Sequence, residues 1–226
     1  MIILILLTLA VFLAWMFIKP KAVRIAIGSL LMVLLLIQGI LIGMNLHHHF
    51  GMKQVTTTKV HHNVYSAGDK QNPANLMIAK ELGKDTNNYV LIYRDHKDQN
   101  KAQAHFKPDF SKDKQVETVK KSATYQLKDV KQPEVKTKTT AWVFENDFYQ
   151  ALMSFGDDHK ALIKETTTIT LPKDEWVAAS PEQLKQLQAK QKDSSSQQKQ
   201  MAMMQSMPKA EQTKMAVKQM KKMLGQ

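Results

Sequence analysis

The chain has no cysteine among its 226 residues. That excludes disulfides, a thiol nucleophile and a lipid anchor carried on sulfur. Gly-x-Ser-x-Gly, His-Glu-x-x-His and a phosphate-binding glycine loop are also missing, so no catalytic residue stands out and an enzyme is not expected. The one tight acid and imidazole group, Asp157, Asp158 and His159, follows Gly156 and reads as a turn between strands. From Pro181 onward there is no aromatic residue beside 11 Gln and 7 Met, too little apolar bulk for an independent core. Acidic residues are few, 20 against 32 basic, for a net charge of +12.

What the chain does have is two long apolar runs, 1–18 and 25–46, separated by Lys19-Pro20-Lys21-Ala22-Val23-Arg24. As helices they would reach about 27 and 33 Å, against a hydrocarbon core of about 30 Å. The expectation is a transmembrane hairpin with the basic loop 19–24 in the cytoplasm, which leaves the N-terminus and residues 47–226 outside the cell. Trp15 and Phe17 suit the inner interface, and Phe50 with His47, His48 and His49 suits the outer one. A cleaved signal is disfavoured, because the basic residues follow the first run and Gly43-Met44-Asn45 is a poor cleavage site. The part outside the loop keeps a surplus of nine positive charges, which suits anionic lipid or wall polymer; nucleic acid is not expected as a partner there.

The expected class is a membrane-anchored α+β protein: the hairpin, a β-rich extracytoplasmic domain over 47–179, sandwich-like or single-sheet, and a helical or disordered tail over 180–226. Alternation at Val60, His62 and Val64, at Tyr89, Leu91 and Tyr93, at Ala123, Tyr125 and Leu127, and at Trp142 and Phe144 predicts strands, as does the β-branched run Thr166 to Leu171. Asn72 and Pro73 predict a helix from Pro73 to Leu82 that Gly83 ends, and Asp95 to Gln115 reads as a loop. Ser180-Pro181-Glu182-Gln183 predicts a helix to about Lys192, followed by a polar linker.

Lys209 to Leu224 places Ala216, Val217, Met220, Met223 and Leu224 on one helical face, ringed by Lys214, Lys218, Lys221 and Lys222. Such a helix suits an anionic membrane surface or a groove on a partner. Gly39 and Gly43 form a small-xxx-small pair with Gln38 beside it, while Ala14 lies at the depth of Gly28 and Ser29 for packing inside the hairpin. Eight histidines, among them His47, His48, His49, His61 and His62, and the methionines 201, 203 and 204 invite a copper reading. Their spacing matches no ligand pattern, so no metal site and no cofactor is expected.

The hairpin with its Lys-Pro-Lys centre, the histidines after the second run, the Thr-rich strands around Trp142 and the Gln/Met-rich tail resemble a family of small two-span membrane proteins of unassigned function in lactobacilli and related Gram-positive bacteria. The resemblance implies an accessory role beside multidrug efflux transporters and carries over no functional residue. The leading expectation is therefore a non-enzymatic anchored protein that binds another membrane protein, or a second copy of itself, through Gly39 and Gly43. The alternative is a cell-envelope binder of anionic lipid or wall polymer, and extracytoplasmic copper handling ranks third.

Overall fold

The computed structural model describes residues 2–109, 111, 118–154, 160–191 and 207–225. Helix α1 (Ile2–Phe17) turns through Pro20 into α2 (Lys21–His48). Helix α2 starts four residues before the expected span because proline at its cap and alanine after Lys21 let the helix begin inside the basic loop. It stops at His49, which takes the left-handed conformation with φ 54°. By length and composition α2 is long and apolar enough to cross a membrane, and α1 is a shorter apolar helix of 16 residues.

Among the described residues eight strands follow: β1 (Met52–His61), β2 (Asn75–Glu81), β3 (Tyr89–Tyr93), β4 (Gln103–His105), β5 (Lys121–Lys128), β6 (Glu134–Phe144), β7 (Lys160–Pro172) and β8 (Trp176–Ala179). Helix α3 (Asp147–Met153) lies between β6 and β7, and α4 (Pro181–Gln191) and α5 (Lys209–Leu224) follow β8. The protein is thus α+β with two four-stranded sheets, β1-β6-β7-β5 and β4-β3-β2-β8. The pairs β5/β7 and β2/β8 are parallel, whereas β2/β3 and β3/β4 are antiparallel.

The chain divides into two compact units, residues 1–57 with 140–163 and residues 58–139 with 164–226. In the second, strands of both sheets contribute to one core of Met77, Ala79, Leu91, Tyr93, Ala123, Val135, Ile169, Leu171, Trp176 and Ala178. The expected alternation of Ala123, Tyr125 and Leu127 is the inward face of β5, and Leu91 and Tyr93 point into the core from β3. In the first unit α3 packs on α1 and α2.

Three expectations are corrected. The helix expected at Pro73 to Leu82 is strand β2: its helix-forming residues are overridden because the segment is flanked by β3 and β8 and buries Met77 completely. Asn72 does bond the backbone ahead of it, accepting from Ala74 N at 3.0 Å, but the turn it closes leads into a strand. The loop expected at Asp95 to Gln115 contains β4, held by pairing to β3 rather than by apolar content of its own. Val60 and His62 are exposed, and only Val64 of that expected alternation is buried, because Val60 is on β1, at the end of its sheet's strand order, and β1 stops at His61, before His62. The expected turn at Gly156 lies outside the described residues.

The helix expected after Ser180 is α4. Its cap is reciprocal: Gln183 N donates to Ser180 Oγ at 3.1 Å, and Ser180 N donates to Gln183 Oε1 at 2.8 Å. Part of the tail is ordered by the chain's own sheet: Val217, 3% exposed, packs with Ala74 and Val177, and Ala216, Met220 and Leu224 join them.

Candidate functional site

Residues alternate across a strand, so the inward Ala123, Tyr125 and Leu127 of β5 put Gln126 and Lys128 on the opposite face. The same logic places Thr168 and Thr170 opposite Ile169 and Leu171 on β7, and Glu134 and Lys136 on either side of inward Val135 on β6. These residues, with His62, Val130, Lys131 and Gln132, line a groove of about 590 Å³ in the second unit.

The floor of the groove is hydroxyl and amide. The parallel register sets Gln126 beside Thr170, and Gln126 Nε2 donates to Thr170 Oγ1 at 2.9 Å. That leaves the Thr170 hydroxyl hydrogen for another acceptor. His62 Nδ1 donates to the Pro133 carbonyl at 2.8 Å, which fixes the tautomer of the neutral ring and leaves Nε2 as its acceptor. Among the described residues Lys128, Lys131 and Lys136 make no ion pair, and Glu134 is the one acidic side chain in the lining. The groove is therefore a cationic patch over hydrogen-bonding groups, suited to a ligand that carries both anionic charge and hydroxyls. A second recess of about 440 Å³, lined in part by Leu82, Phe106, Pro108, Val119 and Ala123, is mainly apolar.

The structure separates the candidates that the sequence singles out. In the first unit the Trp15 indole lies over Gly28, so that a Cβ there would stand 2.7 Å from Trp15 Nε1. Ala14 is buried at 6% exposure. Gln38 is buried too, and its Nε2 donates to the Leu152 carbonyl of α3 at 3.2 Å, a partner outside the expected helix pair. Gly39 and Gly43 have nothing within 4 Å of where a Cβ would be.

His49 stacks on Trp142 with ring centroids 4.4 Å apart, and His47 tilts against His48 at 6.4 Å. His61 and His62 are exposed. Among the described residues no three His, Asp or Glu side chains gather where a metal could sit. The methionines 201, 203 and 204 lie outside the described residues.

On α5, Met220 is turned toward the sheet along with Val217, and Lys221 Nζ donates to the Lys173 carbonyl at 2.7 Å. The apolar face that the sequence offers to a bilayer is therefore largely spent on the protein, while Lys214, Lys218 and Lys222 ring it. The groove lysines went unnoticed in the sequence. For Lys128 the signal was the off-core half of the alternation of Ala123, Tyr125 and Leu127 on β5; Lys131, between β5 and β6, and Lys136, beside Val135, carried no such signal.

An apolar N-terminal helix long enough to span a bilayer, followed by two four-stranded sheets, defines the class as α+β, with a polar, cationic groove in its second unit. The chain belongs to the DUF4811 family, a domain of unknown function whose profile matches residues 20–187. The match runs from the cap of α2 into α4 and leaves out α1 and α5. No curated protein and no solved structure matches the chain.

Proposed function

We propose that the protein is a non-enzymatic, membrane-anchored binding protein of the cell envelope. Helices α1 and α2 form a two-span hairpin, residues 47–226 lie outside the cell, and the groove over β5, β6 and β7 takes up an anionic polyol-phosphate polymer. The observation that carries this reading is the set Lys128, Lys131 and Lys136, without an ion pair among the described residues, above the Gln126, Thr168 and Thr170 floor. Phosphates would meet the ammonium groups and hydroxyls would meet the floor, so one ligand class satisfies both chemistries.

The test uses the full chain in lipid nanodiscs with a glycerol-phosphate oligomer as probe and neutral dextran as control. At about 1 kcal/mol per lysine near a charged surface, replacing all three lysines with Gln weakens binding by at least about tenfold. Binding also falls between low and high salt. Affinity unchanged by the triple substitution would remove the groove from the proposal.

A second reading, an accessory subunit of another membrane protein, is favoured by one observation: the Gly39 and Gly43 face of α2 is open. Close approach of a partner helix is what small residues permit. The partner class suggested by the resemblance is a multidrug exporter, with a second copy of this chain as the other option.

A further inference from the structure

Helix α3 is short, with the sequence Asp147-Phe148-Tyr149-Gln150-Ala151-Leu152-Met153, and it packs against α1 and α2. Its C-terminal end meets Gln38, well inside the apolar helix, and its Tyr149 and Met153 side chains cover Gly51, beyond the end of α2. Thus α3 lies along the last third of α2.

The length of α2 locates that stretch against a bilayer. Its 28 residues reach about 42 Å, some 12 Å more than the hydrocarbon core. With Arg24 at the inner edge, the outer edge falls about 20 residues further on, near Met44. Helix α3 therefore straddles the outer edge.

Two observations agree with that level. Aromatic rings gather there: His49 stacks on Trp142, Phe50 meets Tyr149 edge-on at 5.8 Å, and Tyr149 meets Phe148 at 5.7 Å. Such rings collect at the head-group level of membranes. Phe148 itself is 67% exposed, with exposed Ala151 one turn on.

The other is Gln38. The last carbonyls of a helix have no partner within it, and in water they are simply hydrated. Here a buried glutamine from an otherwise apolar stretch supplies the donor for Leu152 O. A side-chain donor of this kind is what a helix end requires where water is scarce.

We infer that α3 is a foot inserted into the outer leaflet, with Phe148 and Ala151 in contact with lipid and Gln38 satisfying its buried end. The inference rests on the membrane anchoring proposed above. It adds a lipid contact made by the β6–β7 connection, separate from the two spans.

Because the chain has no cysteine, single labelling sites can be introduced without background. The full chain would carry a nitroxide at Phe148→Cys, Ala151→Cys, Leu36→Cys or Val60→Cys, reconstituted in phosphatidylcholine–phosphatidylglycerol vesicles. Accessibility to oxygen and to a water-soluble nickel chelate is then read for each. Leu36 is 67% exposed on α2 and reports the span, whereas Val60 is 51% exposed on β1 and reports water.

The expected result is oxygen-rich, nickel-poor spectra at positions 148 and 151, at shallower depth than position 36. If 148 and 151 match position 60 while 36 remains nickel-poor, the foot is overturned and the anchoring stands. If 36 is itself open to nickel, the anchoring and the foot both fall.

Discussion

Tyr93 is held with its phenol in the core, stacked on His105 at 3.9 Å between ring centroids. Burial first, and the nearby Asp95 carboxylate second, push its pKa well above the ordinary tyrosine range. Tyr125 is shifted upward mainly by the same desolvation. A phenol is neutral when protonated, so the folded chain keeps a proton that the unfolded chain begins to release near pH 10. This contribution is complete below about pH 10 and is lost as pH rises toward the folded-state value. Urea unfolding of the full chain in detergent should therefore show the midpoint falling above about pH 10. Tyr93→Phe should flatten that fall, and an identical alkaline profile in the variant would show that the phenol does not contribute.

At the scale of elements, α5 shows what ordering by context means. Its composition gives it one apolar stripe and lysines elsewhere, and the stripe is covered by Ala74 and Val177. Removing two methylene equivalents from Val217 with Val217→Ala should cost about 1.6 kcal/mol of docking energy. Val217→Asp should undock the helix outright, because it would bury an unpaired charge. Hydrogen exchange should then lose protection in Lys209–Leu224 while β2 and β3 keep theirs. Protection unchanged by Val217→Asp would mean that the helix is held elsewhere. The strand β2 shows the same principle in reverse: Leu76, Met77, Ala79, Lys80 and Glu81 favour helix locally, yet pairing on both edges decides for strand.

For the whole molecule, the two readings of function separate at α2 and at the groove. A Cβ at Gly39 or Gly43 would meet nothing within 4 Å, so with Gly39→Leu and Gly43→Leu the chain itself should fold and insert as before. If a helix partner uses that face, crosslinking in native membranes and mild purification should lose the co-purifying protein from the double variant. A complex that survives both substitutions would sink the helix contact and leave the polymer-binding reading in place.

The sequence by itself determined the apolar helices, the break between them at Lys19-Pro20, the capping of α4 and the inward face of β5. Each depends on local chemistry: unbroken hydropathy, a proline or serine at a helix start, or a two-residue alternation. The tertiary structure alone decided that β2 is a strand, that β4 exists, that Gln38 serves α3 and that Lys128, Lys131 and Lys136 share one groove. The pairing of β4 and the Gln38 bond join residues 10 to 114 apart, and the three lysines share a groove only because β7 arrives between β5 and β6; no local pattern encodes which distant backbone or side chain will arrive.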